Sequence, residues 1–196
     1  MNNSDMPIID SKILREKIKD NSIRIVDVRR EQDYQLGHIT NAVNLPLAKL
    51  LADDSVESIQ KIAQDFGISD ETSVVIYDDT FGALSSRVVW ALQYIGHKDA
   101  KLLDVTFSQW KTLGYEISTE VPEIESATHS IKENKEIMAT AEYLEKVKEN
   151  KNVIIIDNRE RLNYLEQHIP GAINIPYRTL ATDGKILRTK EGMKNL

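Results

Sequence analysis

The fold is decided by residues 25–46, IVDVRREQDYQLGHITNAVNLP, because this stretch recurs as residues 155–176, IIDNRERLNYLEQHIPGAINIP, at a constant offset of 130. Eight of the twenty aligned positions from Asp27 onwards are identical. They are Asp27/Asp157, Arg29/Arg159, Tyr34/Tyr164, His38/His168, Ile39/Ile169, Ala42/Ala172, Asn44/Asn174 and Pro46/Pro176. An ungapped register of this length indicates two copies of one structural unit.

Around the repeated stretch, the first copy alternates β-branched runs with helical patterns. Runs at 23–28 and 74–77 are typical of buried strands, and shorter strands are predicted at 43–45, 101–103 and 115–117. Strands that alternate with helices at this spacing predict an α/β fold, with a parallel sheet covered by helices on both faces. Ligands of such sheets bind beyond the carboxyl ends of the strands.

Two helices of the first copy have clear end signals. Asp54 with Glu57 is predicted to cap a helix that carries apolar residues at helical spacing and ends at Gly67. A second helix carries Val88 and Leu92 and ends at Gly96.

The domain boundaries follow from composition and from the offset. We assign residues 1–118 to a complete first domain and the polar, acidic residues 119–136 to a linker. The second copy, residues 137–196, is predicted to begin with a helix capped by Thr140. Since 196 minus 130 is 66, it reaches only the counterpart of Phe66. We therefore expect a partial domain without the counterpart of residues 67–118.

Composition excludes several classes of function. The net charge of −6 and the lack of a basic block argue against nucleic acid or an anionic membrane as partner. No apolar run approaches the roughly 18 residues of a membrane span. Residues 1–5 do not resemble a secretory signal, so a cytoplasmic location is expected. The absence of cysteine excludes disulfides, thiolate metal sites and a cysteine nucleophile.

The strand, loop and helix at 74–87 form the strongest candidate site. A short loop entering a helix directs successive N–H groups at one point, where an anion is favoured, and Gly82 permits a close turn. Asp78 and Asp79 also fit an ordinary N-cap or solvated turn. Arg87 could order the loop by binding one of these carboxylates, or it could contact an anion.

Other polar residues fit structural roles better than chemistry. Asp27, Arg29 and His38, with Asp157, Arg159 and His168, lack an accompanying serine nucleophile, and we expect aspartate and arginine to pair with each other or with the backbone. His97 and His129 look isolated, and no spacing of ligand residues suggests a metal site. Trp90 and Trp110 are expected in the core.

The motifs together resemble the rhodanese family, and specifically its tandem-domain thiosulfate and 3-mercaptopyruvate sulfurtransferases. The first copy carries the resemblance in Asp27-Val28-Arg29, Gly37-His38-Ile39, Tyr77-Asp78, Arg87, Trp90, Leu103-Asp104, Phe107, Trp110 and Gly114-Tyr115. The second copy carries it in Asp157-Asn158-Arg159, in residues 168–176 and in Asp183-Gly184.

The resemblance implies a reaction in which a cysteine takes sulfane sulfur from a small anionic donor as a persulfide and passes it to a thiol or cyanide. No cofactor or metal is implied. In tandem members the cysteine lies in the second domain, and the matching position of the first domain usually holds aspartate, here Asp78. The active-site-like loop would comprise Asp78, Asp79, Thr80, Phe81, Gly82, Ala83, Leu84 and Arg87.

This comparison predicts that the chain as given is inactive. A carboxylate at position 78 can accept the N–H groups of the loop and so close the site, and it has no sulfur to transfer. Two departures from the family pattern are Val105-Thr106, where Gly-Gly is usual, and Asn163, where an anion-binding arginine is frequent.

Two hypotheses remain open. The chain represents a tandem sulfurtransferase without its catalytic half-domain, or it is a non-catalytic binding or regulatory module that dimerises through the incomplete second domain. A phosphatase on the same fold would need the same cysteine and is disfavoured.

Overall fold

The structure, a computed structural model, describes residues 7–18 and 23–194. The N-terminal stretch 1–5, from which the cytoplasmic expectation derives, lies outside the described residues.

A five-stranded parallel sheet forms the centre of the first copy. Its strands are β1 (Ile8–Ile9), β2 (Ile23–Asp27), β4 (Ala42–Asn44), β5 (Ser73–Tyr77) and β6 (Ala100–Leu103), in the spatial order β1-β6-β5-β2-β4. Strands β2 and β5 pair along their whole length, from Ile23 beside Ser73 to Asp27 beside Tyr77. The four predicted strands at 23–28, 43–45, 74–77 and 101–103 are therefore confirmed.

Helices cover both faces of this sheet, as predicted. The helices of the first copy are α1 (Ser11–Lys17), α2 (Glu31–Gln35), α3 (Leu47–Ala52), α4 (Val56–Asp65), α5 (Ser85–Tyr94) and α6 (Phe107–Thr112). One core joins Val26 and Ile76 of the sheet to residues of α3, α4 and α5. The other joins Ile25 and Val75, on the opposite face, to residues of α1 and α6. Because consecutive strand residues alternate between faces, a continuous apolar strand supplies both cores.

Local details differ from the sequence expectations at two places. Helix α4 is capped by Ser55, whose hydroxyl accepts a hydrogen bond from the Ser58 N–H, and not by Asp54. The strand predicted at 115–117 begins only at Ile117, as β7 (Ile117–Ser118), which pairs antiparallel with β3 (His38–Ile39) in a separate small sheet.

The linker is folded back onto the first copy. His129 is buried, and its carbonyl oxygen accepts a hydrogen bond from the Gln60 amide at 2.7 Å. Further along, the N–H groups of Lys132 and Asn134 donate to the carbonyls of Ile95 and Tyr94 at the end of α5. We call residues 127–134 the strap, because they tie the linker across the ends of α4 and α5.

The second copy contains α7 (Ala141–Val147), β8 (Ile156–Asp157), α8 (Arg161–Glu166), β9 (Ile173–Asn174) and α9 (Lys190–Met193), with 3₁₀ turns at Lys135–Ile137 before it and Tyr177–Leu180 within it. Thr140 caps α7 as predicted, and Thr189 caps α9. Strands β8 and β9 pair in parallel, as β2 and β4 do in the first copy.

The hydrogen bonds of the repeated stretch are the same in both copies. The Tyr34 hydroxyl donates to the Ala42 carbonyl at 2.8 Å, and the Tyr164 hydroxyl donates to the Ala172 carbonyl at 2.8 Å. The amide of Asn44, like that of Asn174, donates to the carbonyls of the aspartate and arginine that begin the motif. The identical residues thus encode identical local structure.

The surroundings of the two copies differ. Val26 and Val43 are 0% and 2% exposed, whereas their counterparts Ile156 and Ile173 are 49% and 48% exposed. An apolar face that forms core in the first copy is therefore open to solvent in the second. We call this surface, made by Ile156 and Ile173, the open face.

Candidate functional site

The loop that follows β5 is organised around the carboxylate of Asp78, which is 2% exposed. One oxygen accepts hydrogen bonds from the N–H groups of Thr80 and Gly82 at 2.8 and 2.9 Å. The other accepts from the N–H groups of Leu84 and Ser85, each at 2.9 Å, and from the Ser85 hydroxyl at 3.0 Å. We call these five donors the cradle. They present positive charge to an anion, and here that anion is the chain's own side chain.

The backbone conformation of the loop makes this convergence possible. Phe81 and Gly82 both have left-handed backbone, with φ of 57° and 85°. Glycine adopts this conformation without cost, and a phenylalanine there is strained by about 1–2 kcal/mol. The sequence pointed to Gly82, whereas Phe81 gave no such signal.

The other predicted loop residues face away from the cradle. Both oxygens of the Asp79 carboxylate accept hydrogen bonds from Ser108, from its N–H at 2.9 Å and from its hydroxyl at 2.6 Å. Arg87 binds neither Asp78 nor Asp79. Its guanidinium lies 2.9 Å from Asp54 and stacks over the ring of Trp90, because α5 carries it away from the loop. The first alternative considered for Arg87, ordering of the loop through one of these carboxylates, is therefore not found, and contact with an anion stays a prediction.

A cleft of about 670 Å³ opens beside the loop. Its walls include Arg29, Thr80, Leu84, Phe107 and Lys111. The cleft thus lies at the carboxyl ends of β2 and β5, where ligands of parallel sheets bind. Ala83, the remaining loop residue, makes the turn into α5, where its N–H donates to the Thr80 carbonyl.

Asp27 and Arg29 form a buried ion pair at the end of β2. The guanidinium binds the carboxylate with its Nε and terminal nitrogens, the shortest distance being 2.6 Å, and also donates to the Gly37 carbonyl. The Tyr77 hydroxyl donates to the same carboxylate at 2.6 Å and accepts from the Ile39 N–H. Burial, together with the Asp27 charge, raises the pKa of Tyr77 well above its usual value.

His38 joins the small sheet to this network. Its ring stacks on Tyr34, with ring centroids 3.8 Å apart, and its two nitrogens lie 3.0 Å from the carbonyl oxygens of Tyr34 and Glu120. Asp157, Arg159 and His168 repeat the pairing and the stacking in the second copy, but in an exposed setting. In both copies the three residues are engaged with one another or with the backbone.

His97 and His129, which look isolated in the sequence, meet in the fold. Both are buried, and His97 Nδ1 lies 3.3 Å from His129 Nε2. Desolvation lowers the pKa of each imidazole. Within residues 7–18 and 23–194, no group of three or more histidine, aspartate or glutamate side chains is arranged to hold a metal ion.

Both tryptophans contact the core, Trp110 as a member of one cluster and Trp90 as a residue packed against the other. The side chain of Trp110 is completely buried, whereas Trp90 is half-buried and stacks on Tyr94 at the surface of α5. Among the helices that the structure describes, none is long and apolar enough to cross a membrane.

Sequence reasoning missed one contact of the site. The turn at Asp183 and Gly184 belongs to the second copy but lies on the first, where Lys185 forms an ion pair with Asp104. The turn itself is visible in the sequence, but nothing there indicates which surface it touches.

Comparison with known proteins identifies the family. The model of the Rhodanese-like domain matches residues 10–113 and 140–195. The "Sulfur carrier protein TtuD" of Thermus thermophilus is 25% identical over 96% of this chain and 76% of its own length. A fission-yeast protein (Schizosaccharomyces pombe) named "Probable 3-mercaptopyruvate sulfurtransferase" is 31% identical over 71% of this chain and 51% of its own length.

Solved structures agree on the fold. The 3-mercaptopyruvate sulfotransferase SseA of Escherichia coli superposes with a TM-score of 0.85 at 20% identity, covering 97% of this chain and 82% of that structure. The two stretches matched by the family model include both copies of the repeat, and the parallel sheet with helices on both faces is the fold of these neighbours. The chain therefore belongs to the rhodanese family, in which it is similar to proteins named as a sulfur carrier and as sulfurtransferases.

Proposed function

We propose that this chain is the non-catalytic part of a tandem sulfurtransferase, and that the persulfide-forming cysteine lies outside its residues. In this proposal, residues 1–118 are an inactive rhodanese-like domain, residues 119–136 are the linker, and residues 137–196 belong to a second copy. The donor would be thiosulfate or 3-mercaptopyruvate, and the acceptor a thiol or cyanide.

The observation that carries the proposal is the occupied cradle. Sulfur transfer of this kind needs a thiolate that attacks the sulfane sulfur of thiosulfate, so that a new S–S bond forms and sulfite leaves with the electron pair of the broken one. The acceptor then attacks the outer sulfur and regenerates the thiolate. Asp78 provides the negative charge but no sulfur, and the sequence contains no cysteine elsewhere.

The test restores the nucleophile. We expect the wild-type chain to transfer sulfur from thiosulfate or 3-mercaptopyruvate to cyanide at background rate. In Asp78→Cys the five donors should hold the thiol as a thiolate, with a pKa below the usual value of about 8.5, and thiosulfate should add the mass of one sulfur atom. Alkylation rates against pH and intact mass spectrometry measure these two outcomes.

Asp79→Cys is the matched control, because it lies one residue away, outside the cradle, and faces Ser108. Its thiol should keep an ordinary pKa and gain no sulfur. Turnover by the wild-type chain that survives repeated purification would contradict the proposal. So would a product of the natural source with an intact mass of 22.3 kDa, the mass of this chain.

The open face supports a second candidate function, that of a binding module. Ile156 and Ile173 expose about half of their surface, and among the described residues no strand pairs with β8 on the side where β2 pairs with β5. An apolar surface of this kind favours association with another chain. Dimerisation through this face is the form of the candidate that can be tested on the chain itself.

A further inference from the structure

The second copy touches the first through a small hairpin, residues 182–186. Thr182 and Lys185 close the hairpin with two backbone hydrogen bonds of 3.1 and 2.8 Å. The Thr106 N–H donates to the Gly184 carbonyl at 3.0 Å, and the Ile186 N–H donates to the Asp104 carbonyl at 2.9 Å. The hairpin is thus attached by backbone bonds to the loop between β6 and α6.

Side chains reinforce this attachment. The Lys185 ammonium forms an ion pair with Asp104 and lies 3.9 Å from Asp10. Gly184 is pressed against Gln109, so that a Cβ at this position would lie 2.6 Å from the Gln109 side chain. Only a glycine permits this approach without movement of Gln109.

The cradle loop forms the other half of the docking surface. Ile186 is buried, and its Cδ1 lies 3.7 Å from the point where a Cβ of Gly82 would stand. The guanidinium of Arg178 lies 6.0 Å from the centre of the Phe81 ring. The two residues with left-handed backbone therefore face the second copy directly.

Position 78 is bonded to both halves of this surface, to the cradle loop through its carboxylate and to α6 through its main-chain carbonyl. Its carboxylate holds the N–H groups before and after Phe81, those of Thr80 and Gly82. Its carbonyl oxygen accepts the Phe107 N–H at 3.0 Å, which ties the cradle loop to the start of α6. The carboxylate bonds flank Phe81 on both sides and so hold its strained backbone in place.

We infer that Asp78 is a positioning residue for the second copy. By filling the cradle, its carboxylate fixes the half of the docking surface made by Phe81 and Gly82, against which the hairpin 182–186 packs beside residues 104–109. This role does not depend on sulfur transfer. It explains why a loop without a nucleophile keeps a strained backbone and an occupied cradle.

The docking is tested by amide hydrogen exchange of the whole chain. We compare Gly184→Ala with Gly171→Ala. Both glycines have left-handed backbone, with φ of 75° and 82°, so both variants carry the same kind of backbone strain. They differ in their surroundings, since no atom lies within 4 Å of a Cβ at Gly171. Exchange at the Ile186 and Thr106 amides should accelerate about tenfold or more in Gly184→Ala only. Equal rates in the two variants would contradict the docking contact.

Asp78→Asn tests the positioning role itself. We expect faster exchange at the Ile186 amide while the amides of Val75 and Ile76 in β5 stay protected, since a general loss of stability would accelerate both groups equally. An unchanged rate at Ile186 would overturn the inference.

If Asp78→Asn does not fold, Ile186→Ala tests the same coupling between the cradle loop and the hairpin, starting from the hairpin. Coupling between two sites is reciprocal, so removal of the Ile186 side chain should accelerate exchange at the Gly82 amide. Exchange at Gly82 that is independent of Ile186 would equally refute the positioning role.

Discussion

The eight identical residues of the repeat each have a counterpart 130 positions away. The same side chain can therefore be compared in a buried and in a more exposed setting. Asp27 is completely buried, whereas the side chain of Asp157 pairs with an arginine that is half exposed. The distances in the two ion pairs, 2.6 and 2.7 Å, are nearly the same. Any difference between the two pairs in their contribution to the free energy of unfolding therefore arises from the surroundings and not from the geometry of the pair.

We expect Asp27→Asn to lower the free energy of unfolding by about 3–5 kcal/mol, because it leaves the Arg29 charge buried without a counter-charge. Asp157→Asn should cause a much smaller loss, since water solvates Arg159. Urea unfolding of both variants checks this prediction. Equal losses would show that burial does not decide the strength of the pair.

The buried histidines predict a pH dependence of stability. Desolvation lowers the pKa of His97 and of His129 below the unfolded value of about 6.5, and the acidic groups facing the pair are Asp70 and Asp99. As the pH falls below about 6.5, the unfolded chain takes up protons first, so the free energy of unfolding decreases. The slope is at most about 1.4 kcal/mol per pH unit for each histidine.

Urea unfolding between pH 8 and pH 5 measures this slope, with the double variant His97→Asn and His129→Gln as control. The two amides keep the neighbouring hydrogen-bonding atoms but do not titrate in this range. The control should show a flatter profile. A wild-type profile that is flat below pH 6.5 would contradict the prediction.

At the scale of elements, the sequence predicted the structures that depend on neighbours along the chain. The β-branched strands, Gly67 and Gly96 at helix ends, and the cap at Thr140 all appear where expected. The loop after β5 was also found, because a strand, a turn with Gly82 and a helix are a local pattern.

The missed features depend on residues that are distant in the sequence. The His97–His129 contact joins residues 32 positions apart, and the ion pair of Lys185 with Asp104 spans 81 positions. Strand β3, which the sequence did not predict, pairs with β7, some 80 residues further along the chain. Helices α2 and α3 have five and six residues, too few for a clear hydrophobic period.

The strap gives a prediction for the end of α5. A Cβ at Gly96 would lie 2.4 Å from the Lys132 carbonyl oxygen, whereas at Gly114 no atom lies within 4 Å, and both glycines have left-handed backbone. Gly96→Ala should therefore lower the free energy of unfolding by about 1–3 kcal/mol more than Gly114→Ala. Thermal or urea unfolding of the pair measures the difference, and equal losses would place the strap away from α5.

For the whole molecule, the open face predicts self-association. Sedimentation velocity should show a mass that rises with concentration, and Ile173→Lys should reduce this rise because a charge cannot be buried in an apolar contact. Leu36→Lys is the control, since Leu36 is 85% exposed but lies in the first copy. A monomer at all concentrations would exclude dimerisation through the open face.

The edge strand β1 has a consequence for the order in which the chain folds. Ile8 pairs with Leu102 and Ile9 with Leu103, so β1 is synthesised before its partner β6, which is the last strand of the sheet in chain order. Such distant pairings form slowly, because the chain loses the conformational entropy of a long loop before the strand contacts that compensate for this loss are made. On the ribosome, the sheet therefore cannot be completed before β6 has left the exit tunnel, and Ile8 and Ile9 lack this strand partner until then.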